Sequence, residues 1–149
     1  MVMPLSPLII QAVLFIILLI LASAIDIHKR IIPNIICILV ALAGLIYFSP
    51  VKLFGILAAL PLLIAAINKK DSIGGGDIKL TAAAGLVLGF WGGIAGLIIG
   101  LVAMLLFYAV KVLVGWLQKD KSRERNERAL LLPMAPFLSI GFIAVLILR

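Results

Sequence analysis

The chain is a succession of long apolar runs, and that succession limits what it can fold into. Such runs occupy residues 5–25, 34–48, 52–68, 78–90, 93–117 and 131–148, separated by short polar or Gly/Pro punctuation. A bilayer core about 30 Å thick is crossed by roughly 20 apolar residues in a helix, fewer where flanking side chains snorkel or the bilayer thins. Hydrophobic residues make up 65% of the 149 and charged residues 13%, and the mean hydropathy is +1.35. Those values belong to integral membrane proteins. The expected fold is an all-α polytopic membrane protein of about six transmembrane helices, forming a single membrane-embedded domain over 1–149 with no room for a soluble one. The opening "MVMPLSPLII" lacks the basic region of a secretory signal, so the first helix is expected to be a retained span.

The fourth and fifth runs are separated only by "FWGG". A continuous helix from Leu80 to Leu117 would be about 57 Å long at 1.5 Å per residue, far more than a membrane's thickness. The chain must therefore turn near Trp91, which places Trp91 and Trp116 at opposite interfaces, where tryptophan prefers to sit. The second and fourth runs are short for spans.

Six spans put Lys52 and Arg149 on one side and the other eleven of the thirteen basic residues on the opposite side. By the positive-inside rule the basic side is cytoplasmic and both termini face out. All six carboxylates share the cytoplasmic side, so the formal charge of +7 is mostly a signal of topology, and no nucleic-acid partner is expected. The loop "QKDKSRERNER" mixes charges of both signs without aromatic residues and reads as a solvated segment, near lipid headgroups or a docking partner. Its acids Asp120, Glu124 and Glu127, like Asp71 after Lys69 and Lys70, have basic neighbours and read as surface groups.

Cys37 stands alone within an apolar run, which excludes an intramolecular disulfide and a multi-cysteine zinc site, and it reads as a small hydrophobe. His28, beside Lys29 and Arg30, reads as an interfacial residue. Neither a metal nor a cofactor is expected.

Two carboxylates remain, both at ends of apolar helices: Asp26 in "LASAIDIHKR" and Asp77 in "GGGDIKL". Singly, each has an ordinary role, Asp77 as a helix N-cap and Asp26 as an interfacial anchor. The topology places them at one membrane face, and the pair has a chemistry neither has alone. Carboxylates within a few ångströms of each other cannot easily both ionise, so one keeps a proton while the other stays charged. That is an acid and a base around one water, able to hydrolyse an amide without a covalent intermediate. The protons belong to the coupled pair, so neither residue is assigned acid or base.

Gly74, Gly75 and Gly76 remove side-chain bulk beside Asp77 and permit backbone conformations closed to other residues, so an extended substrate strand can approach. A phosphate-binding loop is disfavoured, because Asp77 stands where an anion would sit and no "GK[ST]" follows. Lys79 lies two residues after Asp77 and points to a different helix face, so a direct ion pair is not expected. Snorkelling to headgroups, or support for an ionised Asp77 or the substrate backbone, are its two readings.

These residues resemble the type IV prepilin leader peptidases, aspartic proteases of the membrane-embedded GxGD group. Gly74, Gly76 and Asp77 fit GxGD and continue into Lys79 and Leu80; Asp26 followed by "HKRIIPN", with Pro33 and Asn34, resembles the segment around the family's first catalytic aspartate; "PMAPFLSIG", with Pro133 and Pro136, resembles the last-helix motif. The resemblance implies that Asp26 and Asp77 are catalytic. It also implies that Gly74, Gly75, Gly76, Lys79, Pro33, Asn34 and Pro136 bind substrate or shape the site. The implied reaction removes the short basic leader from type IV pilin or pseudopilin precursors at the cytoplasmic face of the plasma (inner) membrane, with the substrate helix resting against the enzyme's own.

Longer bacterial members carry a cytoplasmic insertion with paired cysteines and also N-methylate the new terminus with S-adenosylmethionine. Here only residues 26–33 occupy that connection, so the expectation is a peptidase without methyltransferase activity. The "IPN" and short length resemble peptidases of tight-adherence pilus systems, "APFL" resembles the longer type IV enzymes, and archaeal preflagellin peptidases are a third similar group.

Gly85, Gly89 and Gly93, and then Gly92, Gly96 and Gly100, recur at four-residue spacing, the pattern of close helix packing in membranes. Pro61 reads as a kink in the third helix, and Pro133 and Pro136 as helix-entry residues. A rival reading is a small proton- or cation-coupled transporter using Asp26 and Asp77, although transporters more often place such groups at mid-membrane in broken helices. A passive assembly subunit, for which neither aspartate matters, is a third.

Overall fold

The computed structural model describes residues 7–69, 73–117 and 132–148. The segment "QKDKSRERNER", Lys70, Asp71 and Arg149 lie outside the described residues. Among the described residues every regular element is helical: α1 (Pro7–Lys29), α2 (Asn34–Ile46), a 3₁₀ stretch (Pro50–Ala59) running directly into α3 (Leu60–Asn68), α4 (Gly75–Leu117) and α5 (Ala135–Leu148).

Local chemistry explains where these helices begin and end. Helix α1 carries its apolar run one turn beyond the expected limit, so Asp26, His28 and Lys29 lie inside its last turn. Cations there complement the negative end of the helix dipole. The helix stops at Arg30, which takes a left-handed conformation (φ 54°) and donates its N–H to the Asp26 carbonyl at 2.8 Å. Pro33, extended at φ −61° and ψ 135°, then starts α2. Further on, Pro61 has no N–H to offer the Leu57 carbonyl, and the Leu60 N–H bonds that oxygen in the tighter 3₁₀ pattern. The expected kink is thus a change of helix type at the Ala59–Leu60 junction, just before Pro61.

Helix α4 is not one rod. Gly89 interrupts it at φ 78° and ψ 176°, a conformation open to glycine and strained for other residues. A Cβ at Gly93 would stand 3.1 Å from the Gly85 Cα, whereas eight residues of straight helix separate those positions by about 12 Å. The chain therefore reverses at Gly89, two residues before the turn expected at Trp91, and α4 has two arms.

The regularly spaced glycines are the points where backbones meet. Gly55 of the 3₁₀ stretch packs against Gly85 so closely that a Cβ on either would overlap the other's carbonyl oxygen. Gly96 meets Phe142, and Gly141 meets Gly96 and Gly100, which joins the second arm of α4 to α5. In lipid the apolar surface has no water to escape, so close van der Waals packing of small residues supplies much of the association. Phe15, Leu19, Val40, Leu80, Leu138 and Phe142 fill the centre, while large apolar side chains such as Ile20, Ile35 and Leu105 face outward.

Among the described residues three helical stretches are long and apolar enough to cross a membrane, namely Pro7–Lys29, Pro50–Asn68 and Gly75–Leu117; Asn34–Ile46 and Ala135–Leu148 are shorter apolar helices.

Candidate active site

Four helix ends gather at one end of the bundle: the last turn of α1 with Asp26, the start of α2 with Asn34, the first turn of α4 with Asp77, and the start of α5 with Ala135. Hydrogen bonds join them in pairs. Asp26 Oδ2 accepts from the Ala135 backbone N–H at 3.1 Å, and Lys79 Nζ donates to Asn34 Oδ1 at 3.0 Å. The α1–α5 contact continues inward, where Ser23 Oγ and Ser139 Oγ lie 2.8 Å apart and both reach the Leu19 carbonyl.

Asp26 and Asp77 are both buried, at 6% and 8% exposure, whereas none of the described lysines and arginines is buried. The Asp26 and Asp77 carboxyl groups lie within electrostatic reach of each other. Asp77 Oδ1 is buried with no hydrogen-bond partner. Oδ2 lies toward Gly74, where an added Cβ would be 3.3 Å away. The helix-cap role considered for Asp77 does not hold: Gly74 precedes the first helical residue, its carbonyl accepts the Asp77 N–H at 3.0 Å, and Asp77 is the third residue of α4.

The three glycines divide their roles. Gly76 packs on Ile32, whose Cβ would be 2.9 Å from an added Cβ, whereas a side chain at Gly75 would meet nothing within 4 Å. None of the three has a positive φ; among the described glycines only Gly89 does. Of the two expectations for this motif, lack of bulk holds at Gly76 and beside Asp77, whereas a backbone conformation closed to other residues occurs at the α4 turn and not here. Close packing here also involves Cys37, which is buried with Sγ 3.9 Å from the Gly76 carbonyl oxygen.

Lys79 points away from Asp77, as its spacing requires, and its bond to Asn34 ties α4 to the start of α2. Pro33 precedes Asn34 and its carbonyl accepts the Ile36 N–H at 3.1 Å. Pro136 follows Ala135 in the first turn of α5, so the "PMAPF" segment meets Asp26 through the backbone. Among the described residues, no three His, Cys, Asp or Glu side chains come together as a metal site. A cleft of about 960 Å³ at the other end of the bundle, lined by Lys52, Gly89, Trp91 and Val145 among others, includes none of these residues.

Sequence reasoning missed four polar side chains. Gln11 Nε2 donates to the Ala43 and Gly44 carbonyls at 2.9 and 3.3 Å, and Ser23 and Ser139 meet as described. Thr81 is fully buried and its hydroxyl has no partner. Each is a polar residue inside an apolar run, which was a usable signal. Thr81 also stands four residues after Asp77, on the same helix face.

An all-helical frame with long apolar helices and carboxylates buried at one end of the bundle defines an integral membrane protein with a polar site at its edge. Residues 13–115 match the type IV leader peptidase family. A Bacillus subtilis (strain 168) prepilin leader peptidase/N-methyltransferase is 37% identical over 140 residues, covering 89% of this chain and 53% of the relative. This chain belongs to the type IV leader peptidase family. It spans about half the length of that curated relative. No solved structure matches.

Proposed function

We propose that the chain is a polytopic membrane aspartic endopeptidase that removes the leader peptide from prepilin-like precursors. The observation that carries this reading is the pairing of Asp26 and Asp77, two buried carboxylates drawn from helices 51 positions apart in sequence, within electrostatic reach of each other. Family membership supports the reaction class, and the relative's name supplies the substrate class.

In this mechanism the ionised carboxylate takes a proton from water as the water oxygen attacks the peptide carbonyl carbon. The protonated partner donates to the carbonyl oxygen. The tetrahedral diol collapses as the C–N bond breaks: the leaving nitrogen takes the proton held by the dyad and one diol hydroxyl returns its proton to the dyad, which restores one shared proton. Asp26 receives the Ala135 N–H on Oδ2, a bond that holds its carboxylate in place.

The chain crosses the membrane six times, counting the two arms of α4 separately, with the dyad at the cytoplasmic face. The basic residues at that end support this orientation. Only Arg30, Ile31, Ile32 and Pro33 connect α1 to α2. That connection is too short for an inserted cytoplasmic domain, and the reading is peptidase activity without methyl transfer.

The test is co-expression of a prepilin with the parent, Asp26→Asn or Asp77→Asn in membranes, with equal insertion checked by immunoblot. Loss of the leader-sized shift in both variants supports the dyad. Continued cleavage by either variant rejects it.

A further inference from the structure

Thr81 has an unusual environment for a buried hydroxyl in a helix. Its side chain is 0% exposed and Oγ1 has no hydrogen-bond partner. A serine or threonine inside an apolar helix ordinarily donates to the carbonyl four residues back, and Ser23 does so in this chain, reaching the Leu19 carbonyl at 2.9 Å. For Thr81 the equivalent acceptor is the Asp77 carbonyl, and the hydroxyl is not directed to it.

The second unpartnered atom is Asp77 Oδ1. The two residues are four apart on α4, so their side chains lie on one face, and Cβ bonds lean toward the helix N-terminus, which brings the Thr81 side chain under the Asp77 turn. Asp77 Oδ2 lies on the side of Gly74, an exposed residue. The two carboxylate oxygens thus have different surroundings, with Oδ1 the buried, unpartnered one. Polar atoms on one face, beyond direct hydrogen-bond distance and shielded from bulk solvent, are the setting in which one bridging water satisfies both.

We propose that Thr81 is a positioning residue of the aspartate pair, holding Asp77 Oδ1 through a buried water and leaving Oδ2 for the reacting water. The inference rests on the dyad reading above. Fixing one carboxylate oxygen sets the rotation of the group, and a general acid or base works only when its proton-transferring oxygen is in line with the reacting atom. Thr81 touches neither substrate nor reacting atoms.

The test uses full-length protein in liposomes with a prepilin substrate, comparing the parent with Thr81→Ser, Thr81→Val, Thr81→Ala and Asp77→Asn. Loss of the bond that orients the Asp77 carboxyl group predicts kcat lower by about tenfold in the Val and Ala variants, with KM unchanged. Thr81→Ser keeps kcat within about twofold of the parent, because the hydroxyl remains. The pH–rate profile moves in the Val variant and not in the Ser variant. If the hydroxyl is merely a tolerated orphan, Thr81→Val keeps the parent kcat and profile and melts higher, which overturns the proposal. A Ser variant as impaired as the Val variant also overturns it, and Thr81→Ala gives the same comparison if the Val variant inserts poorly. Cleavage by Asp77→Asn rejects the dyad itself, whereas an inactive Asp77→Asn beside a fully active Thr81→Val rejects only the role of Thr81.

Discussion

Asp26, near the end of α1, accepts the backbone N–H of Ala135, the first residue of α5, across 109 positions of sequence. One side chain thereby caps a distant helix and takes part in the candidate site. The two roles separate by substitution. Asp26→Asn keeps an acceptor and loses the charge, so it should insert and melt near the parent while cleavage is lost. Asp26→Ala removes the acceptor as well and should lower stability by about 1–3 kcal/mol. Thermal unfolding in detergent, read beside prepilin cleavage, checks both.

The glycine motif predicts a contrast between neighbours. Gly76→Ala puts a methyl group 2.9 Å from the Ile32 Cβ, and overpacking of this kind costs about 1–3 kcal/mol. Gly75→Ala meets open space and should leave the melting temperature unchanged or slightly raised, since alanine is the better helix former by about 1 kcal/mol. Equal losses at the two positions would contradict the packing described for Gly76.

The same reasoning applies further along both arms of α4. Gly85→Ala places a methyl group against the Gly55 backbone, whereas Gly115→Ala meets nothing within 4 Å. The first should unfold at markedly lower temperature than the parent and the second should not. Purified protein in one detergent suffices for the comparison.

Lys79 and Asn34 form a testable unit. Their hydrogen bond holds the α2 start against α4 next to Asp77, so Lys79→Met and Asn34→Ala should each slow cleavage, and the double variant should be no slower than the worse single one. Independent effects that add in the double-mutant cycle would separate the two residues. Parent turnover in Lys79→Met would remove that side chain from the site.

Much of this fold is legible in the sequence because apolar runs and their punctuation report directly on helices in lipid. The runs preceding Asp26 and following Asp77 place both carboxylates at helix ends, and the length of the 80–117 stretch demands a reversal close to its observed position at Gly89. What escapes is tertiary. That Asp26 binds the start of α5 and that Gln11 reaches two α2 carbonyls both depend on neighbours remote in sequence. The expectation of special backbone conformations at Gly74–Gly76 failed for a related reason: a glycine chosen for missing bulk and one chosen for positive φ look identical in sequence, and among the described glycines only Gly89 is of the second kind.

The central claim is that Asp26 and Asp77 act as one catalytic pair, and the most direct measurement is the initial rate of leader removal by purified protein in liposomes. Parent, Asp26→Asn, Asp77→Asn and the double variant should be compared at equal reconstitution and matched melting temperature. Each single variant should fall by about a hundredfold or more, and the double variant should be no slower than either, since paired groups fail together. A single variant that retains the parent rate would contradict the account.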